Sequence, residues 1–249
     1  RGGTMNGTTS EDRTNYFETV PSHQLELALW LEADRLANLL PAMTQEKLDN
    51  QRDVVKNERR LAVDNQPYGT WDEKIQELLY PVGHPYHHST IGSMDDLTAA
   101  SLDDVGEFFA TYYAPDNAVL SVVGDFEPAG ALAMIERHFG PIPANPKRPP
   151  VPDTAIEPLI GAEIREVVSD RVPLPRVYAA YRIPVFGTDA FDALEVAVDL
   201  LGTGRASRLY GRLVRERQLA QDVTVMAFQI VSGAAIFSQV LRHSDSIRI

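Results

Sequence analysis

The stretch TQEKLDNQRDVVKNERRLAVDN, residues 44–65, decides how the chain is read. Wound at 3.6 residues per turn, it gathers Leu48, Val54, Val55, Leu61 and Ala62 onto one stripe, with Gln51 and Glu58 in its middle. The opposite face carries Glu46, Asp49, Asp53, Lys56, Asn57, Arg60 and Asp64 and reads as solvent-facing. A carboxylate aimed into an apolar face is costly unless a cation or strong donors meet it. Glu58 is therefore expected to be buried and to need a partner. That partner is either an arginine in a structural salt bridge or a metal ion.

On either side of this helix the elements follow from pattern and punctuation. Threonines and aromatics predict two short strands, residues 4–9 and 14–20, turning at Ser10-Glu11-Asp12. An amphipathic helix over 22–40 is expected to stop at Pro41, and Thr44 to cap the next helix. Further helices are predicted over 70–79, 101–113, 128–139, 189–201 and 207–217. The run AVLSVVG, residues 118–124, reads as a buried strand because it is almost wholly apolar. Residues 162–169, 176–183, 223–230 and 234–241 also read as strands, the last two pairing around Ser232-Gly233. A Pro-rich stretch, 146–157, reads as a linker between a first domain, 1–145, and a second, 158–249, that repeats its strand and helix order. His84, His87 and His88 crowd one loop, but Gly and Pro punctuate it and no carboxylate is near in sequence. A metal site there is not expected.

Composition narrows the function classes. With 23 basic and 35 acidic residues the net charge is −12, which argues against nucleic acid as a partner. No apolar run reaches the roughly 18 residues of a membrane span. The absence of cysteine excludes disulfides and Cys-ligated zinc. Arg1-Gly2-Gly3 and Ser246-Ile247-Arg248-Ile249 both read as cut ends of a longer protein, so the signal region is not covered and the compartment, bacterial periplasm or cytoplasm, stays open.

The Gly3 to Pro21 run, then a helix, then Gln51-Arg52-Asp53-Val54-Val55-Lys56-Asn57-Glu58-Arg59-Arg60, resembles the pitrilysin/insulinase family of zinc metallopeptidases. These are inverzincins, whose zinc site joins an H-x-x-E-H motif to a distant Glu. The resemblance implies an α+β fold of repeated domains, each a largely antiparallel sheet with helices on one face. It implies a zinc-dependent endopeptidase acting on peptides or unfolded segments. Glu58 would be the third zinc ligand, and Asn6, Gly7 and Thr8 would grip extended substrate by strand addition. Gln51, near the site, occupies a position where many members carry a second Glu, and cannot carry its charge.

H-x-x-E-H does not occur in these 249 residues, and family spacing puts it before Arg1. The chain by itself is expected to be inactive and to bind zinc weakly or not at all. The family's substrate-contacting Arg and Tyr, seven residues apart, would fall at Val214 and Gln221. Neither is kept, and Arg215 is one residue out of register. A related second subunit or fused second half carrying the Arg/Tyr pair is therefore expected. The alternative is a non-catalytic scaffold or partner subunit of the same family.

Overall fold

Six residues on each side of a tight turn, rich in threonine, form an antiparallel hairpin at the start of the chain. The computed structural model describes residues 2–145, 149–157, 161–228 and 234–241. Its elements are β1 (Thr4–Thr9), β2 (Thr14–Thr19), α1 (Leu25–Ala42), α2 (Gln45–Arg59), α3 (Trp71–Leu79), α4 (Met94–Ala99), α5 (Leu102–Tyr112), α6 (Pro128–Phe139), β3 (Arg176–Arg182), α7 (Asp189–Gly202), β4 (Ala220–Phe228) and β5 (Ala234–Leu241). Helices pack with antiparallel strands, which makes the fold α+β. The chain divides into two compact units, Arg1–Glu58 with Ile91–Val151, and Arg59–Thr90 with Pro152–Ile249.

In the first unit β1 and β2 pair in register Thr4↔Thr19 through Thr9↔Thr14. Gly7 lies opposite Tyr16, and a Cβ there would come within 3.1 Å of the tyrosine ring, so glycine lets that ring lie across the hairpin. α1 runs on through Pro41 to Ala42 instead of stopping at the proline. Late in a helix the missing N–H costs one bond, and Met43 closes the turn onto the Leu40 carbonyl at 3.1 Å. Thr44 caps α2 through its hydroxyl, which accepts from the Lys47 amide at 3.3 Å. Ser101 and Asp104 form a capping box at the start of α5.

The expected buried strand at 118–124 is not found. No strand among the described residues pairs with 118–124, and Val119 and Val123 are 97% and 93% exposed. Residues 162–169 behave alike in the second unit, with Val167 93% exposed. An apolar run reports that a segment is built for burial, and it does not supply the strand that buries it.

The core of the second unit gathers Ile75, Leu79, Tyr80 and Tyr86, with Trp71 stacked on Tyr178 at 5.0 Å. Its sheet is antiparallel in order β3-β5-β4. A Cβ on Gly202 would meet Val225 Cγ2 at 2.1 Å, so only glycine lets the end of α7 seat on β4. Residues 152–157 of the Pro-rich stretch are held to this unit: Ile156 packs on the core and Arg182 Nη1 donates to the Glu157 carbonyl at 2.8 Å. Residues 146–148, 158–160, 229–233 and 242–249 lie outside the described residues, and with them parts of the expected linker, the Ser232-Gly233 turn and the end of the 223–230 strand.

Two helical turns are wound wide. Arg60–Asp64 continues α2 as a π turn, and Tyr210–Glu216 forms a longer one. The second closes with the Leu219 amide donating to the Leu213 carbonyl at 2.9 Å while Gln218 sits at φ 52°. Glycine is the usual residue there, because a Cβ is penalised at positive φ. Gln218→Gly should stabilise the chain by about 0.5–1 kcal/mol. The readout is a higher urea midpoint with an unchanged slope. Tyr68, at φ 63°, differs: its amide donates to Asp170, its hydroxyl to the Leu174 carbonyl, and Arg176 lies over its ring. Those bonds hold it in place.

Candidate functional site

Asn6, Gly7 and Thr8 lie on β1, whose only strand partner among the described residues is β2, so its other edge is open. The Gly7 amide donates to Asn6 Oδ1 at 2.8 Å. Thr8 Oγ1 is bonded to Asn15 Oδ1 across the hairpin, with Arg13 donating to both. These residues are exposed, as an edge that adds a strand must be.

Gln51 and Glu58 lie on α2 in the same unit, and the structure corrects the expectation that Glu58 is buried on an apolar stripe. Both are exposed, and so is the stripe around them: Val54 is 50% and Leu61 68% exposed, while Leu48 alone among the stripe residues is fully buried. The amphipathic pattern is present, but among the described residues only part of that face is covered, at Leu48 and partly at Val55. Gln51 lines a groove of about 490 Å³ between α1 and α2, with Leu31, Arg35, Asn38 and Met43. Among the described residues neither Gln51 nor Glu58 takes a hydrogen bond or an ion pair. The Glu58 carboxylate is therefore uncommitted, and the buried-arginine salt bridge is not formed.

The next residue is spoken for. Arg59 donates to both oxygens of Glu73, at 2.5 and 3.0 Å, and stands 3.5 Å from Asp64. Ser89 adds a bond to Glu73 at 2.9 Å. The hydrogen bond from Arg59, opposed by burial and helped by Ser89, holds the Glu73 carboxyl below the usual range. The structural ion pair thus belongs to Arg59, one residue beyond Glu58, where the π turn begins.

The histidine loop is structural. His84 is buried, stacks on Tyr80, accepts from the Tyr86 amide at Nδ1, and reaches the Thr154 carbonyl at 3.3 Å through Nε2. With Nδ1 accepting, Nε2 carries the proton and donates. His87 Nδ1 is 2.8 Å from the Tyr80 carbonyl. Among the described residues no three His, Cys, Asp or Glu side chains are grouped to hold a metal.

At the far end of the chain Val214 is buried with Ala220 and Val223. Gln221 is exposed and lines a groove of about 450 Å³ with Arg205 and Tyr210. Arg215 is exposed, its guanidinium carbon 5.6 Å from the Tyr210 ring centre. Nothing in the sequence pattern pointed to this groove, because its residues come from the end of α7, the turn after it, the start of the π turn at Tyr210 and the body of β4.

The chain belongs to the M16 peptidase family: the family described as the peptidase M16 inactive domain matches residues 99–240. It is 34% identical over 222 residues to the zinc protease PqqE of Helicobacter pylori, covering 89% of this chain and 49% of that protein. It is 28% identical over 254 residues to an uncharacterized zinc protease of Mycobacterium tuberculosis, covering all of this chain and 57% of the other. The crystal structure of a protease from Helicobacter pylori superposes with a TM-score of 0.90 at 31% identity, covering 98% of this chain and 59% of that one. The chain spans about half the length of the curated relatives it matches. No helix among its described residues is long and apolar enough to cross a membrane.

Proposed function

We infer that this chain is part of a zinc-dependent metalloendopeptidase and contributes one zinc ligand and a substrate-gripping edge to it. The observation that carries this reading is an uncommitted Glu58 carboxylate on α2, in the same compact unit as the open edge of β1. Similarity to proteins named zinc proteases supports it. The remaining ligands, an H-x-x-E-H motif, would come from polypeptide outside this chain. When bound, zinc would polarise the scissile carbonyl and activate water. This chain's own part is to present Glu58 Oε1 or Oε2, and to align an extended peptide along β1. For that alignment the Gly7 amide would leave Asn6 Oδ1 and donate to the added strand. Linear repeats over 1–145 and 158–249 are part of this proposal as a statement about ancestry.

A second reading has one observation behind it. Residues 99–240 match a family described as an inactive domain, which suits a scaffold or partner subunit. A quenched-peptide assay separates the two. The 249-residue chain is expected to show no chelator-sensitive hydrolysis, and the full-length protein with its partner to show it clearly. Hydrolysis by the 249-residue chain would overturn the ligand division, and an inert full-length assembly would leave the scaffold.

A further inference from the structure

Strand periodicity puts Tyr16 and Glu18 on one face of β2, and α1 meets that face with Glu32 and Arg35. Arg35 donates to both oxygens of Glu32, at 2.7 and 3.2 Å, and its guanidinium carbon lies 3.9 Å from the centre of the Tyr16 ring. The Tyr16 hydroxyl is 2.8 Å from that of Tyr113, just past α5. Glu18 Oε1 is buried with no hydrogen-bond partner of its own, and the Glu18 and Glu32 carboxyls are near enough to act on each other and on Arg35. Met5, opposite Glu18 on β1, does not titrate. Two carboxyls can bond each other only while one keeps its proton. Arg35 favours charge on Glu32, so the proton resides on Glu18.

We propose that Glu18 and Glu32 share one proton and form a pH-sensitive clasp, which fixes the β1–β2 hairpin to α1 below neutrality and loosens it above. A two-stranded hairpin is marginal alone in water, so its anchor governs its order. Burial first, then the bond and charge of Glu32, push Glu18 from 4.5 up to about 7, against the pull of Arg35. Burial also acts to raise Glu32, but the bonds from Glu18 and Arg35 outweigh it and hold Glu32 below the usual range. The sign follows from proton counting. Between 4.5 and about 7 the clasped hairpin holds a proton that the released hairpin has given up. Closure therefore weakens as pH climbs through that window and levels off above it. Glu32, held low, contributes the opposite trend only in acid. The clasp stands on this cluster alone, and only its effect on substrate gripping rests on the peptidase reading.

Amide hydrogen exchange on the 249-residue chain, corrected for intrinsic rates, tests it. From pH 5 to 8 the opening constant of the β1 and β2 amides should rise about tenfold or more, a figure reduced for partial solvation of the pair. The amides of α6 should not follow. Glu18→Gln should abolish the rise. Glu32→Gln, which leaves Glu18 to Arg35, should move it below about pH 5. Carbon-13 titration of the Glu18 carboxyl in the unsubstituted chain needs no variant and should give a midpoint near 7. A midpoint in the ordinary carboxyl range, or an unchanged rise in Glu18→Gln, overturns the clasp. Failure of the peptidase reading would leave all of these results untouched.

Discussion

In the full-length protein, Glu58→Gln is expected to release zinc while leaving the fold as it was. Glutamine keeps the shape but loses the anionic donor that a hard metal–carboxylate bond needs. Partners one shell further out than a ligand are commonly worth 10–100-fold in metal affinity, so loss of a direct ligand should weaken zinc by more than about 100-fold. The effect on folding runs the other way. Glu58 is exposed and makes no hydrogen bond or ion pair among the described residues, so the apo protein should change by less than about 0.5 kcal/mol. Its neighbour is the built-in control. Arg59→Gln breaks the half-buried pair with Glu73 and should lower stability while sparing zinc. Zinc content by atomic absorption, with the urea midpoint of each variant, reads both. Unchanged zinc in Glu58→Gln would end its assignment as a ligand.

Helix positions were largely legible in the sequence because their signals are local. α6, Pro128–Phe139, opens on the proline that is tolerated there, and α5 begins at a serine with Asp104 three residues on. The hairpin was legible because threonines and aromatics flank a short polar turn, and β1 was placed at its observed ends. Burial was less so, because it depends on what lies across from a face. The α2 stripe and the apolar runs 118–124 and 162–169 carry the composition of buried segments, yet Val54, Leu61, Val119, Val123 and Val167 are exposed and neither apolar run pairs with a strand among the described residues. The same limit applied at the site. Periodicity could place Glu58 on a face but could not say that Arg59, one residue on, takes the ion pair. The Glu18, Glu32 and Arg35 cluster was not anticipated, since it joins a strand to a helix by side chains that each look like ordinary surface charge.

Full activity is expected only when the full-length protein works with a second, different subunit or a fused half that supplies an Arg and a Tyr. Here the positions the resemblance assigns to that pair hold Val214 and Gln221. Val214 is a core residue, packed with Ala220 and Val223, so no donor can reach outward from that register. Arg215, the next residue along the π turn, is exposed beside Tyr210 while Val214 is buried, so the two side chains face different directions. Gln221 can accept or donate a hydrogen bond but lacks the phenol's acidity. An enzyme missing donors aimed at the developing oxyanion loses on the order of 10²–10³ in rate for each one. A homodimer of this sequence should therefore turn over peptide at least about 100-fold more slowly than a pairing with a relative that carries the Arg and Tyr. The comparison is between the purified full-length protein alone and the same protein mixed with such a relative, with light scattering to give the composition of each species. A partner variant with its Arg and Tyr replaced by Val and Gln should fall back to the level of the lone protein. Full activity from the lone protein, running as a homodimer, would show that this chain grips its substrate by other residues.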